Sequence, residues 1–143
     1  MTTSSEIFLL IILFELIYDL FFTRETVICI KNQTTFLKQL KLLFIIGFHH
    51  IISIFLIFGW IFYNKNILIL YILINIITIV SWMFNKGLCY ITVIQNIICN
   101  WEEKKPFNHI FSILNIPINE NTRIYFKSYT LVCILYAIYK ISK

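Results

Sequence analysis

The sequence predicts an all-α integral membrane protein with four transmembrane helices and one additional interfacial amphipathic helix. Of its 143 residues, 59% are hydrophobic and only 13% are charged, which is about half the charged share of a typical soluble domain. A soluble domain of this length leaves much of its chain near water and could not cover so many apolar side chains. The apolar residues also form runs of the length that a membrane-spanning helix requires. Lipid is therefore the expected surrounding.

The four predicted spans comprise residues 7–22, 42–63, 67–84 and 124–141. A spanning helix needs about 20 mostly apolar residues, so the first run is short. Only Asn64-Lys65-Asn66 separates the second and third spans, and this predicts a tight helical hairpin. The chain is short and has no linker rich in glycine or serine, so we expect residues 1–143 to form a single membrane domain.

A regular spacing of polar and aromatic residues continues beyond the third span. It recurs every three or four residues, as one face of a helix requires, at Tyr71, Asn75, Thr78, Trp82, Asn85, Cys89, Thr92, Asn96 and Cys99. A single helix over residues 66–100 would be about 50 Å long, whereas the hydrocarbon layer is about 30 Å thick. We therefore predict a bend near Asn85-Lys86-Gly87, an interfacial helix over residues 88–99 and a cytoplasmic loop over residues 100–123.

Basic residues divide unequally between the two sides of this arrangement. We call the side that carries residues 23–41 and 85–123 the loop face. It holds Arg24, Lys31, Lys38, Lys41, Lys86, Lys104, Lys105 and Arg123, with Lys127 just inside the fourth span. The opposite face holds Lys65, Lys140 and Lys143. Short loops rich in lysine and arginine stay in the cytoplasm, so both loops of the loop face are predicted to be cytoplasmic.

Two further sequence features bear on this orientation. Asn32-Gln33-Thr34 is a glycosylation sequon, which would remain unmodified in the cytoplasm, so its glycosylation would invert the predicted topology. The four cysteines form no Cys-x-x-Cys pair, and zinc-binding or thioredoxin-like motifs are therefore not indicated. We expect buried or lipid-facing thiols, because cysteine behaves as a small apolar residue.

Two carboxylates lie inside the first span. Glu15 and Asp19 are four residues apart and share one helical face. By the rise of a helix, Glu15 lies about 10 Å from the loop-face end of its span, and His49 and His50 of the antiparallel second span reach a similar depth. Ionisable groups in hydrocarbon turn inward and find partners. A histidine of the second span is therefore the expected partner of Glu15.

The two histidines cannot both face the first span, because adjacent residues diverge by about 100° on a helix. The helical face that contains His49 is nearer Ser53 and ends in Trp60. This favours His49 over His50, by a small margin, as the partner of Glu15. Divergent neighbouring histidines also argue against a metal site, since ligand pairs on one helix are normally three or four residues apart. No metal and no cofactor are expected.

The predicted intramembrane polar cluster comprises Glu15, Asp19, His49, His50, Asn75, Trp82, Asn85 and Cys89. The favoured interpretation is a hydrogen-bonded cluster that fixes helix packing in a non-enzymatic structural or assembly component. One alternative is a small oligomeric proton or ion channel that uses Glu15, Asp19 and His49. Another is a membrane-embedded enzyme that uses the histidines and Cys89. No basic surface with interleaved aromatic residues indicates nucleic acid, so the bilayer is the expected partner, with further copies of the chain in the channel alternative.

The stretch WMFNKGLCYITVIQ, residues 82–95, resembles a segment of small four-span membrane proteins of giant DNA viruses, which has the pattern Trp-x-x-Asn…Cys-x-x-Thr. Those proteins also have a histidine-containing span and a Gly-Trp pair upstream, here Gly59 and Trp60. A family of uncharacterised bacterial membrane proteins is similar through its Cys-Pro-Leu-Thr-x-x-Glu segment, although this chain lacks the proline and has Gln95 at the acidic position. The resemblance covers about the middle third of the chain. It implies a host or virion membrane and no known activity.

Overall fold

The computed structural model describes residues 2–102, 105 and 119–143. These residues form six α-helices and no strand, which confirms the all-α prediction for this part of the chain. The helices are α1 (Thr2–Phe22), α2 (Arg24–Lys31), α3 (Phe36–Phe58), α4 (Lys65–Phe84), α5 (Tyr90–Cys99) and α6 (Glu120–Ser142). A single 3-10 turn, Gly59–Ile61, extends α3.

Among the described residues, three stretches of helix are long and apolar enough to cross a membrane: Phe36–Ile61, Lys65–Phe84 and Ile124–Ser142. They correspond to the second, third and fourth predicted spans. The second begins six residues earlier than predicted, so the predicted loop 23–41 contains α2 and the first turn of α3. Most of the predicted loop 100–123 lies outside the described residues, and α6 begins within its last residues, at Glu120.

Side chains at the helix starts explain where three helices begin. The Thr35 side chain accepts a hydrogen bond from the backbone N–H of Lys38 at the start of α3. The Asn64 side chain accepts from the N–H groups of Asn66 and Ile67, and Asn119 caps α6 in the same way. Such side chains satisfy backbone donors that the first helical turn leaves without a partner. The polar residues between the apolar runs therefore start the helices as well as separating them.

Helix α3 has α1 along one side and is linked to α6 at its far end. Phe8 near the start of α1 contacts Phe62 beyond the end of α3, whereas Asp19 near the end of α1 contacts His50. These contacts make α1 and α3 antiparallel. Helices α4 and α6 pack together through a core of Leu68, Tyr71, Cys133, Ile134 and Ala137.

Helices α2 and α5 lie against the loop-face end of α3. Cys29 of α2 forms a disulfide with Cys99 at the end of α5, and the pair packs in an apolar cluster with Leu42 and Ile46 of α3. The expectation that all four cysteines are thiols was therefore wrong for these two, whereas Cys89 and Cys133 are free. We call α2, α5 and the described residues that follow α5, 100–102 and 105, the loop-face cap.

The third span ends where the sequence predicted a bend. Helix α4 ends at Phe84, and Lys86 and Gly87 both have positive φ angles. A positive φ costs glycine little, so Gly87 allows the chain to leave the helix direction at this point. Helix α5 then runs beside the first half of α3, with Thr92, Gln95 and Asn96 buried and Ile97 exposed.

Two glycines of α3 and its 3-10 turn provide a matched test of this packing. A Cβ atom added at Gly59 would collide with the Tyr71 ring, whereas one added at Gly47 would meet nothing within 4 Å. The Tyr71 ring cannot move freely, because its hydroxyl donates to the carbonyl of Leu56. We predict that Gly59→Ala lowers the free energy of unfolding by about 1–3 kcal/mol.

The matched control, Gly47→Ala, is expected to leave the free energy of unfolding unchanged or to raise it by up to about 1 kcal/mol, because alanine is the better helix former. Both values can be measured by denaturant titration of the purified protein in detergent micelles. Equal losses of stability in the two variants would contradict the described contact between α3 and α4.

Candidate functional site

His50 lies between the two carboxyl groups of α1. Its Nδ1 is 3.2 Å from Glu15 Oε2 and its Nε2 is 3.3 Å from Asp19 Oδ2. All three side chains are buried, with exposures of 0–3%. Because Glu15 and Asp19 are one helical turn apart, they can reach opposite edges of a single imidazole ring. We call these three residues the triad.

The geometry of the triad restricts its protonation. A neutral imidazole has one N–H donor and one acceptor nitrogen, yet both nitrogens of His50 face carboxyl oxygens. Both contacts are hydrogen bonds only when the ring is doubly protonated or when one carboxyl group carries a proton. Either arrangement holds two protons and leaves a single net negative charge on the triad. A third proton makes the triad neutral.

The two carboxyl groups differ in how their second oxygens are bonded. Asp19 Oδ1 accepts a hydrogen bond from the hydroxyl of Thr26 at 2.9 Å, which ties α2 to the triad. Glu15 Oε1 is buried and has no hydrogen-bond partner among the described residues. A buried carboxyl oxygen without a partner is costly. Glu15 Oε1 is therefore an atom at which a third proton can be accommodated without breaking a described hydrogen bond.

His49 belongs to a different set of contacts. Its Nδ1 is 3.5 Å from Gln95 Oε1 and its Nε2 is 3.4 Å from Thr92 Oγ1, so it faces α5. These distances are at the long end of the hydrogen-bond range. Gln95 Nε2 is also buried and has no hydrogen-bond partner in the described part of the chain.

The preference for His49 as the partner of Glu15 was therefore wrong, and His50 occupies that position. The residues one turn before and after His50, Ile46 and Ile54, are both fully buried, which identifies this stripe as the inward face of α3. The sequence prediction took Trp60 as the end of the helical face that contains His49, but Trp60 lies in the 3-10 turn. Side chains in such a turn no longer continue an α-helical face.

The other four predicted cluster residues make contacts elsewhere. Asn75 is fully buried and donates to the carbonyl of Tyr71 in its own helix, and Asn85 donates to Ser81 Oγ. The Trp82 ring packs against Phe126 of α6 at 5.9 Å between centroids. Cys89 immediately precedes the first turn of α5. They therefore form separate contacts along α4, α5 and α6.

Sequence reasoning missed two residues that touch the histidines and acids. Thr26 follows a break at Thr23, where the backbone is extended, so no helical spacing links it to Asp19. Gln95 lies three residues after Thr92, a spacing that places them on one helical face. That spacing was a usable signal, because both side chains are buried on the face of α5 that meets α3.

The triad joins ionisable side chains of two helices, whereas the thiol of Cys89 is a weak nucleophile. Burial raises the pKa of the Cys89 thiol, although hydrogen bonds from backbone N–H groups of the first turn of α5 oppose this. A thiol with a raised pKa holds little thiolate at neutral pH, and the thiolate is the reactive form. Within the described residues, no group of three or more histidine, cysteine or acidic side chains is placed to hold a metal ion.

Comparison of the chain with protein-family models, with curated proteins and with solved structures finds no match. The resemblances to viral and bacterial membrane proteins therefore stay predictions.

Proposed function

We propose that this chain is a four-span integral membrane protein that acts as a non-enzymatic structural or assembly component of a membrane. The observation that carries this proposal is the burial of the triad between α1 and α3. In hydrocarbon, polar side chains that bond across helices fix which faces meet. The triad does this for α1, which carries three acidic residues.

Helix α1 supplies the fourth span in this proposal. It contains 21 residues, which is about the length that a bilayer crossing needs. Three acidic residues, Glu6, Glu15 and Asp19, reduce its apolar character. Two of them are buried against α3 and do not face lipid. The contacts of α1 run from Phe62, just beyond the 3-10 turn, to His50, which supports an antiparallel course of α1 beside α3.

The outward surface of the helices supports lipid as the main partner. Many large apolar side chains of α1, α4 and α6 are exposed, among them Leu10, Phe14, Ile17, Phe21, Leu73, Ile77, Val80, Leu131, Val132, Leu135 and Ile138. Soluble monomers rarely expose apolar surface of this extent. In a bilayer the same side chains face acyl tails.

The distribution of basic residues supports a cytoplasmic position for the loop face, and with it for residues 23–41 and 85–123. The resemblance to giant-virus proteins supports a host or virion membrane as the location. We include both in the proposal. A tag on either terminus would then be accessible from outside or from the lumen.

The structural role is tested by two sets of substitutions in the triad. His50→Ala leaves two buried acids without their shared partner, and we predict a loss of about 3–5 kcal/mol in unfolding free energy. A triple variant, Glu15→Leu with Asp19→Leu and His50→Leu, removes all three ionisable side chains together and is expected to regain most of that loss. Denaturant titration in micelles measures both, and a triple variant as unstable as His50→Ala would contradict a packing role.

A proton-conducting oligomer remains the second candidate, with His50 in place of His49. The observation that favours it is Glu15 Oε1, a buried oxygen without a hydrogen-bond partner in the described residues, which can accept the third proton. Intramembrane acids beside a histidine are typical of proton relays. Against it, the end of α3 beyond the triad, from Ile54 to Phe58, is apolar, so several copies of the chain would have to complete the path.

Proton flux into liposomes separates the two candidates. We predict that the reconstituted protein gives no more flux than protein-free vesicles, measured with an internal pH dye. Flux that is present in the wild type, lost in Glu15→Gln and kept in Glu6→Gln would replace the structural function with conduction. Glu6 is the matched control because it is exposed in the same helix.

A further inference from the structure

The loop-face cap contains a disulfide whose role the proposed function does not explain. The Cys29–Cys99 disulfide joins residues 70 positions apart in the chain and covalently connects α2 to the end of α5. On the proposed topology this bond lies on the cytoplasmic side. Disulfides are rare in the cytosol because thiol reductants break them, and those that exist there are usually transient or redox-sensing.

The polar contacts described between α2 or its following turn and the α5 side of the cap are weak. The Gln33 side chain donates to the carbonyl oxygen of Ile98 at the long distance of 3.5 Å. Lys105 pairs with Glu25, whose side chain is 64% exposed. Exposed ion pairs contribute little. The disulfide is therefore the only covalent connection described between the two helices of the cap, beside an apolar cluster in which Ile30, Ile98 and Trp101 pack around it.

Each helix of the cap covers one histidine site. Thr26 of α2 donates to Asp19 of the triad, and Thr92 and Gln95 of α5 contact His49. Asp19, His49, Thr26 and Gln95 are all buried. The disulfide thus crosslinks the two helices that cover the acidic side chains and the histidines.

We propose that the Cys29–Cys99 disulfide is a redox-controlled crosslink that holds this cap closed. Cytoplasmic dithiols reduce the disulfide, and the cap then opens. The inference rests on the cytoplasmic orientation proposed above. Opening lets α2 and α5 move apart and admits water to the side chains of the triad and of His49. The oxidised chain holds the cap closed, as in the described structure.

The reaction is thiol–disulfide exchange. A thiolate of a dithiol reductant attacks Sγ of Cys99, which is more exposed than the buried Cys29. Cys29 leaves as a thiolate and takes up a proton. The second thiol of the reductant, as a thiolate, then displaces Cys99, which is protonated in turn, so the protein gains two thiols and the reductant becomes a disulfide. Exchange with a low-molecular-weight disulfide in the opposite direction closes the cap again.

Hydrogen–deuterium exchange of the protein in lipid nanodiscs tests the opening. On addition of a phosphine reductant, we expect exchange over residues 24–31 and 90–99 to become roughly tenfold faster or more, as local opening requires. Residues 65–84 should not change. Cys29→Ala with Cys99→Ala should show the fast exchange without reductant, whereas Cys89→Ala with Cys133→Ala should respond as the wild type does. Unchanged exchange over α2 and α5 after reduction would overturn the proposal.

Sidedness is tested in the Cys89→Ala, Cys133→Ala background, where Cys29 and Cys99 are the remaining cysteines. Sealed vesicles with the cytoplasmic face outward are treated with a membrane-impermeant reductant and a polyethylene-glycol maleimide. Two additions per chain, seen only after reduction, are expected. Labelling from the opposite face alone would overturn the switch and the cytoplasmic orientation, while the four-span structure would stand. Labelling without reductant would show that the bond does not form and would overturn the switch alone.

Discussion

The contact of one imidazole with two carboxyl groups is the interaction on which the rest of the proposed arrangement depends. Glu15 and Asp19 make α1 a poor membrane helix by composition, and a lone helix of this kind would place two acids in lipid. His50 gives both acids the same partner. It thereby determines which face of α1 meets α3 and sets the two helices at matching depth. The exposed side of α1 is then left almost entirely apolar.

The loop-face cap extends this arrangement toward the aqueous phase. Thr26 bonds the second carboxyl group, and α5 brings Thr92 and Gln95 to the other histidine. Adjacent histidines on a helix necessarily point in different directions, so two separate polar surfaces are needed to satisfy them. α1 supplies one, with Thr26 of α2 completing it, and α5 supplies the other. This division of contacts explains why the polar face of α5 packs against α3.

The far end of the bundle is held by different chemistry. The Lys140 side chain donates to the carbonyl oxygen of Trp60 at the end of the α3 extension and lies over the Tyr63 ring. The Trp60 indole N–H donates to the Tyr129 hydroxyl. Aromatic and lysine side chains suit the boundary between hydrocarbon and water, because each has an apolar body and a polar tip. These contacts therefore hold the 3-10 turn against α6, at a helix end whose carbonyl groups need hydrogen-bond donors.

Part of this structure follows from local sequence. Long apolar runs predicted the three helices suited to a membrane, and Gly87 predicted the break after α4. Matching depths predicted that Glu15 would meet a histidine of the next span. The choice between His49 and His50 depended on the rotation of α3, which distant packing sets. The disulfide could not be predicted from the sequence, because the direction of α2 depends on a single extended residue, Thr23. No periodic sequence pattern indicates such a turn.

The coupling free energy between Glu15 and His50 measures how far their contact holds α1 against α3. A double-mutant cycle with Glu15→Gln and His50→Gln, measured as unfolding free energy in lipid or detergent, isolates their interaction from other effects of each substitution. We expect a coupling of about 0.6–1.7 kcal/mol, the range that double-mutant cycles give for polar contacts between membrane helices. Additive effects of the two substitutions would contradict it, because α1 would then be held on α3 by something other than this contact.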